Sequence, residues 1–275
     1  MRSLSMPSMT TEEVYDCCIS NFRDADFTEV LEGYKPSILA DSFDYKIKAS
    51  ENRLHSFISA KEIDVYHMKK VYSDKLVKGP GRSFYDKLMA APSNGKCPLC
   101  GHRQVSNLDH HLPKSHFATV AVTPLNLVPV CSDCNFIKRA TFPSKSDEEP
   151  LHPYFDYVDD AIWLYCEVLP TNPISFMYKV SPPLNWSRTL KTRVISHFEQ
   201  LKLNKLYTAN AAEELMNIGS YLANLHSRGG PEIVQEFLSG MCESQRKYRT
   251  NSWEAALYEC LSSSPWFLSE GIDQL

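Results

Sequence analysis

Two Cys-x-x-Cys pairs constrain this chain more than any other feature: Cys97-Pro98-Leu99-Cys100-Gly101 and Cys131-Ser132-Asp133-Cys134-Asn135. A two-residue gap lets both sulfurs of a pair converge on one ion, and tetrahedral zinc takes four thiolates. Four thiolates fill the shell and leave no position for water, so a zinc held by Cys97, Cys100, Cys131 and Cys134 is structural. The alternative, a redox motif, would need only one of the two pairs. The 30 residues between the pairs exceed the familiar spacing and must hold structure of their own.

The remaining cysteines agree with a reducing compartment. Nine in all is an odd count, and Cys17, Cys18, Cys166, Cys242 and Cys260 sit among apolar or helical neighbours as small core residues. The chain has no run of about 18 apolar residues, and its first residues, MRSLSMPSMTTEEVYDCC, lack an apolar signal core. The expectation is a non-exported, cytoplasmic protein without a membrane segment.

At 275 residues there is room for one sizeable core or two modest domains. The chain reads as three zones: 1–60, 61–143 and 144–275. The first shows a helix-like stretch from Glu12 to Phe22 and a strand-like one from Phe43 to Ile47. The second has a helix ending near Leu76, a turn at Lys78-Gly79-Pro80-Gly81, and a short helix capped by Ser83. Strands are expected around Val120–Val122 and Leu127–Val130, then a helix from about Cys134. The third zone follows an acidic linker, Ser144 to Glu149, and reads as mainly helical. Its apolar stripe runs Leu206, Leu215, Ile218, Leu222, Leu225 and then, past Gly229-Gly230-Pro231, Ile233, Phe237 and Met241. Pro173 to Val180 is the exception, a candidate strand.

Charge is distributed unevenly. The whole chain carries −4, yet residues 61–140 hold 12 Lys and Arg against 6 Asp and Glu, a local +6, while the rest carries −10. A basic segment in an acidic frame neutralises phosphates locally and limits indiscriminate binding, so a partner is expected to supply part of any nucleic-acid affinity.

Between the cysteine pairs lies Leu108-Asp109-His110-His111-Leu112-Pro113-Lys114-Ser115, then Asn126-Leu127-Val128-Pro129-Val130, with Asn135-Phe136-Ile137-Lys138 running on from the second pair. The order Asp-His, Asn-Leu sixteen residues later, then Cys-x-x-Cys-Asn-x-x-Lys resembles the HNH endonucleases. The resemblance implies an α+β chain with a ββα-metal core around a four-cysteine zinc centre, flanked by mostly helical regions. It also implies that Asp109 and Asn135 hold a catalytic divalent ion, that His110 is the general base, and that Asn126 orients the base and its loop. Asn at the last position favours a hard, oxygen-ligated ion, magnesium or manganese. Adjacent His111 offers the alternative register, one position on; the Asp-His-x-x-Pro spacing favours His110, and His111, His102 and His116 are read as structural loop histidines against a contact with substrate or metal. Lys114 and Lys138 are candidates to steady phosphates, against the alternative of solvated surface charge.

A narrower likeness covers residues 66–165. Gly79-Pro80-Gly81-Arg82 with Tyr85-Asp86, Leu112-Pro113-Lys114 and His152-Pro153-Tyr154-Phe155-Asp156 are similar to HNH nuclease subunits of Septu and retron-linked antiphage systems. That likeness implies an ATPase partner and a defence role. His152 and Asp156, four apart, are read as packing residues. The expected function is hydrolysis of DNA phosphodiesters. The alternatives are a zinc-stabilised binding module without catalysis, or a ribonuclease acting on structured RNA; no aromatic stacking platform for RNA is legible in the sequence.

Overall fold

The computed structural model describes residues 2–275, which form two compact units that divide between Tyr157 and Val158. The first zone, as far as it is described (2–60), thus packs in one unit with 61–157.

In the first unit, helix α1 (Thr11–Ile19) starts at a reciprocal cap: the Thr10 hydroxyl accepts from the Glu13 amide, and the Glu13 carboxylate accepts from the Thr10 amide at 2.7 Å. Helix α2 (Ala25–Ser50) begins at Asp24 and absorbs the stretch expected to be a strand. Phe43, Tyr45 and Ile47 alternate with polar residues, which mimics a strand. Only Tyr45 is buried, in the helical series Leu31, Ile38, Tyr45 and Ala49. Phe43 and Ile47 are exposed.

Helix α3 (Val65–Lys70) passes into a π-helical stretch, Val71–Val77, and the turn at Gly79–Gly81 leads into α4 (Arg82–Met89). The cap is Gly81 rather than Ser83. A β-carbon on Gly81 would lie 2.8 Å from the Cys18 sulfur, so the turn's close approach to α1 requires glycine.

Strands β1 (Asn107–His110) and β2 (Leu127–Val130) pair antiparallel, with Asp109 opposite Val128 and His110 opposite Leu127. Helix α5 (Ser132–Lys138) follows at once. Leu108 and Leu127 enter a core built by α1, α2, α3 and α4 around Tyr15, Ile38, Met68 and Leu76. A second cluster, including Tyr45, Phe57, Leu112, Phe117 and Val120, underlies the loop joining β1 to β2. The strand expected at Val120–Val122 is instead a 3-10 turn, Ala118–Val120, and its continuation. The apolar run reports burial, which either conformation satisfies. Nor is 144–149 wholly a solvated linker: buried Glu149 accepts from the His55 amide at 2.9 Å and meets His55 Nδ1 at 2.6 Å.

In the second unit, strands β3 (Leu164–Leu169) and β4 (Ser175–Val180) form a hairpin. Three helices follow: α6 (Arg188–Gln200), α7 (Leu203–Tyr248) and α8 (Trp253–Ser262). Helix α7 breaks at Gly229 and Gly230, the latter with φ +72. Before the break Leu215 and Leu222 are buried as expected; after it the buried stripe is Val234, Leu238 and Cys242, not Ile233, Phe237 and Met241. The break resets the helical phase by one residue. Among the described residues no helix is long and apolar enough to cross a membrane. Cys18, Cys242 and Cys260 are buried free thiols, and burial pushes Cys18 up to about 12. Cys17 and Cys166 are half-buried and also free.

Candidate active site

The first cysteine pair sits on a tight turn. Lys96 bridges to Gln104, the Cys97 amide donates to Arg103 O at 2.8 Å, and the Gly101 amide donates to Cys97 O at 2.7 Å. Gly101, at φ +69, supplies the left-handed residue that closes it. The second pair opens α5: Cys131 is its N-cap, and its sulfur accepts from the Cys134 amide at 3.4 Å.

All four thiols are buried, and their sulfurs lie within 4.8 Å of one another, Cys100 to Cys131 at 4.0 Å. Zinc–sulfur bonds of about 2.3 Å arranged tetrahedrally place sulfurs about 3.8 Å apart. A disulfide would bring them to about 2.0 Å. The donor set therefore fits one zinc ion. Hydrogen bonding from the neighbouring thiols, then burial, pushes Cys97 and Cys134 up, so the four cannot ionise together without a cation to compensate.

The same short helix reaches β1. Asn135 follows Cys134, and Lys138 lies one turn further on the same face. Lys138 Nζ meets Asp109 Oδ2 at 3.0 Å and donates to His110 O at 2.7 Å. Both side chains of the Asp109–Lys138 pair are largely buried. Burial raises the Asp109 carboxyl, opposed by the charges of Lys138 and Lys114. Lys138 is thus an internal brace between helix and strand. Lys114 is half-buried, with its ammonium 4.8 Å from the Tyr72 ring centroid, and burial lowers it.

His110 is nearly enclosed. Its Nε2 lies 2.9 Å from Ala121 O; a carbonyl only accepts, so Nε2 carries the proton and Nδ1 keeps its lone pair. The Tyr72 ring packs edge-on at 4.5 Å, and its hydroxyl donates to Leu108 O at 3.1 Å. Burial, then the positive charge of Lys114, holds His110 down to about 3, so the ring is neutral at physiological pH.

Asn126 makes its contacts to backbone. Its Oδ1 accepts from the Leu112 amide at 2.7 Å, and its Nδ2 donates to Leu112 O and Val120 O, each at 3.0 Å. It touches neither Asp109 nor His110 through these bonds; it ties the loop that delivers Ala121 O to His110.

The adjacent histidine belongs to a different environment. His111 packs on His152 at 4.1 Å between ring centroids, and His152 Nε2 lies 3.0 Å from the Tyr45 hydroxyl. His152 and Asp156 share a turn, the His152 amide donating to Asp156 Oδ2 at 2.6 Å, as packing residues would. His116 is exposed beside Phe142, and His102 offers its backbone to Cys100. Sequence reasoning missed Tyr72 and the Ala121 carbonyl. The π-helical stretch that positions Tyr72 leaves no residue signature, and a carbonyl acceptor has none at all.

No family model matches the chain, and no solved structure matches it. Among curated proteins it is similar to protein ea31 of Escherichia phage lambda, 26% identical over 295 residues, covering 97% of this chain and 99% of that protein. The similarity spans both units, so the second is part of what the two proteins share.

Proposed function

We propose that the chain is a metal-dependent nuclease of the HNH type. The observation that carries this reading is the convergence, on one zinc-anchored strand pair and helix, of a largely buried carboxylate, a neutral histidine and the Asn135–Lys138 helix face. A binding module needs the cysteines but not this arrangement.

Asp109 and Asn135 would hold magnesium or manganese. The site suits a cation: the carboxylate is partly shielded from water, and the Lys138 ammonium already rests against it at 3.0 Å. When bound, the ion would supply neutralisation of charge on the phosphate and on the departing oxygen. The chain's own contribution is to position and to move a proton. Ala121 O fixes the His110 tautomer, leaving Nδ1 to accept a proton from water, and Tyr72 walls the ring in place. Lys138 holds Asp109 against α5, and Lys114 adds positive charge at the same edge. DNA is the proposed substrate class, supported by the motif likeness and the local +6. An ATPase partner and a role in antiphage defence rest on the motif likeness.

The test is cleavage of DNA and RNA in parallel by the purified chain, with and without added magnesium or manganese. Cleavage that requires the added ion and disappears in Asp109→Ala supports the reading. Absence of cleavage of either polymer by the chain, alone and with its co-purified partner, would overturn it.

A further inference from the structure

The outer face of α5 carries a side chain that the site as described does not use. Phe136 directly follows Asn135, about 100° further round the helix, and it is 70% exposed. Its ring adds little to the core, which already takes Leu108 and Leu127 from the strands. Arg139 ends the helix in left-handed backbone, φ +53, and its guanidinium carbon lies 5.2 Å from the Phe136 ring centroid. One turn before Phe136, Asp133 is neutralised by Arg103 at 2.9 Å. The exposed ring therefore stands beside a metal-ligand candidate, with the Arg139 charge against one side of it. Three residues past Arg139, Phe142 presents a second exposed ring, packed on His116 and Phe117 at 5.1 Å each.

Resting on the nuclease reading, we propose that Phe136 and Arg139 form a stacking platform for an unpaired base beside the phosphate to be cut, so that the substrate is nucleic acid with at least local single-stranded character. A base inside a duplex has both faces covered by its neighbours, whereas an unpaired base offers a free π-face to an exposed ring. Arg139 occupies one side of the Phe136 ring, leaving the other for a base, and its charge suits the adjoining phosphate. The Arg139 guanidinium against the ring favours a nucleic-acid base with its phosphate over a protein partner as the occupant.

The experiment uses the full chain carrying His110→Ala, without added divalent ion, so that bound strands stay intact. Affinities are measured by anisotropy at about 50 mM salt for oligo-dT, oligo-rU and a duplex, each of about 20 nucleotides or base pairs. The unpaired strands should bind more tightly than the duplex. Adding Phe136→Ala should weaken them about tenfold and the duplex less than twofold, the size expected for one lost base–aromatic stack. Phe136→Trp should restore binding, and its fluorescence, taken as the difference from the parent's four tryptophans, should be quenched by the strand. The dT and rU arms show which sugar is preferred. Zinc content confirms that each variant is folded. An equal loss for duplex and strands, or no loss, overturns the proposal. Because binding is read without cleavage, failure of the nuclease reading appears separately, as binding intact in a chain that never cuts.

Discussion

The two hairpins of this molecule are built on opposite plans. In β3–β4, six-residue strands pair along their whole length, and β4 alternates buried Phe176 and Tyr178 with exposed Met177 and Lys179. In β1–β2 the strands are four residues long, β2 is buried throughout, and the connection runs from His111 to Asn126. Strands so short do not hold themselves together. The first hairpin is fixed from outside, by the thiol cluster and α5 at one end and the Asn126-tied loop at the other. It is also where the candidate chemistry collects. Regular alternation goes with a scaffold here, and the irregular hairpin carries the candidate site.

The two hairpins nevertheless share one device. Asn251 does for β3 what Asn126 does for the β1–β2 loop: its Oδ1 accepts from the Trp163 amide at 2.9 Å and the Leu164 amide at 3.2 Å, and its Nδ2 donates to Ala161 O at 2.8 Å. A buried asparagine tying several backbone groups therefore occurs where no candidate catalytic group is present, which argues that Asn126 acts through architecture.

The largest effect should come from the metal. Removing zinc with a chelator, or substituting Cys97→Ser or Cys134→Ser, should unfold the region around β1, β2 and α5, because a structural zinc contributes on the order of 10 kcal/mol. Hydrogen exchange should show protection lost across 97–138 and kept in 164–180. Equal loss in both hairpins would break the contrast, and folded protein lacking zinc would remove the metal centre altogether.

Next in size are the two asparagines. Asn126→Ala and Asn251→Ala each strand buried backbone groups, at a cost of about 2–4 kcal/mol in denaturant unfolding. They should differ in activity: Asn126→Ala should slow cleavage even under conditions where it is fully folded, and Asn251→Ala should not. Matching activities in folded samples would return Asn126 to a purely structural role.

Smallest is the effect of charge. With +6 confined to 61–140 and −10 elsewhere, the lone chain should bind DNA weakly at about 150 mM salt, in the non-specific range of roughly 10⁻⁴ to 10⁻⁶ M, with a shallow salt dependence. Nanomolar affinity for the lone chain would contradict this and remove the argument for a partner that supplies binding surface.

The cysteine cluster was legible because ligand spacing is a local property, and the helix expected near Cys134 is α5, capped by Cys131. Period-2 alternation misled at Phe43–Ile47, where the burial of Tyr45 with Ile38 and Ala49 decides for a helix. The stripe beyond Gly230 was displaced by one residue because a break's effect on helical phase depends on backbone angles that composition does not encode. At the site, residue types and order were readable, but the Asp109–Lys138 pair, the Ala121 acceptor and the exposed Phe136–Arg139 pair depend on which faces the fold turns together.

The role proposed for His110, on the irregular hairpin, is to move the proton. Its most direct test is the cleavage rate of His110→Ala against the parent chain at equal zinc content, with magnesium or manganese added. A loss of about 10²-fold to 10⁴-fold is expected, as for a missing general base, with zinc and nucleic-acid binding retained. Full activity in His110→Ala, with the loss appearing instead in His111→Ala, would contradict it.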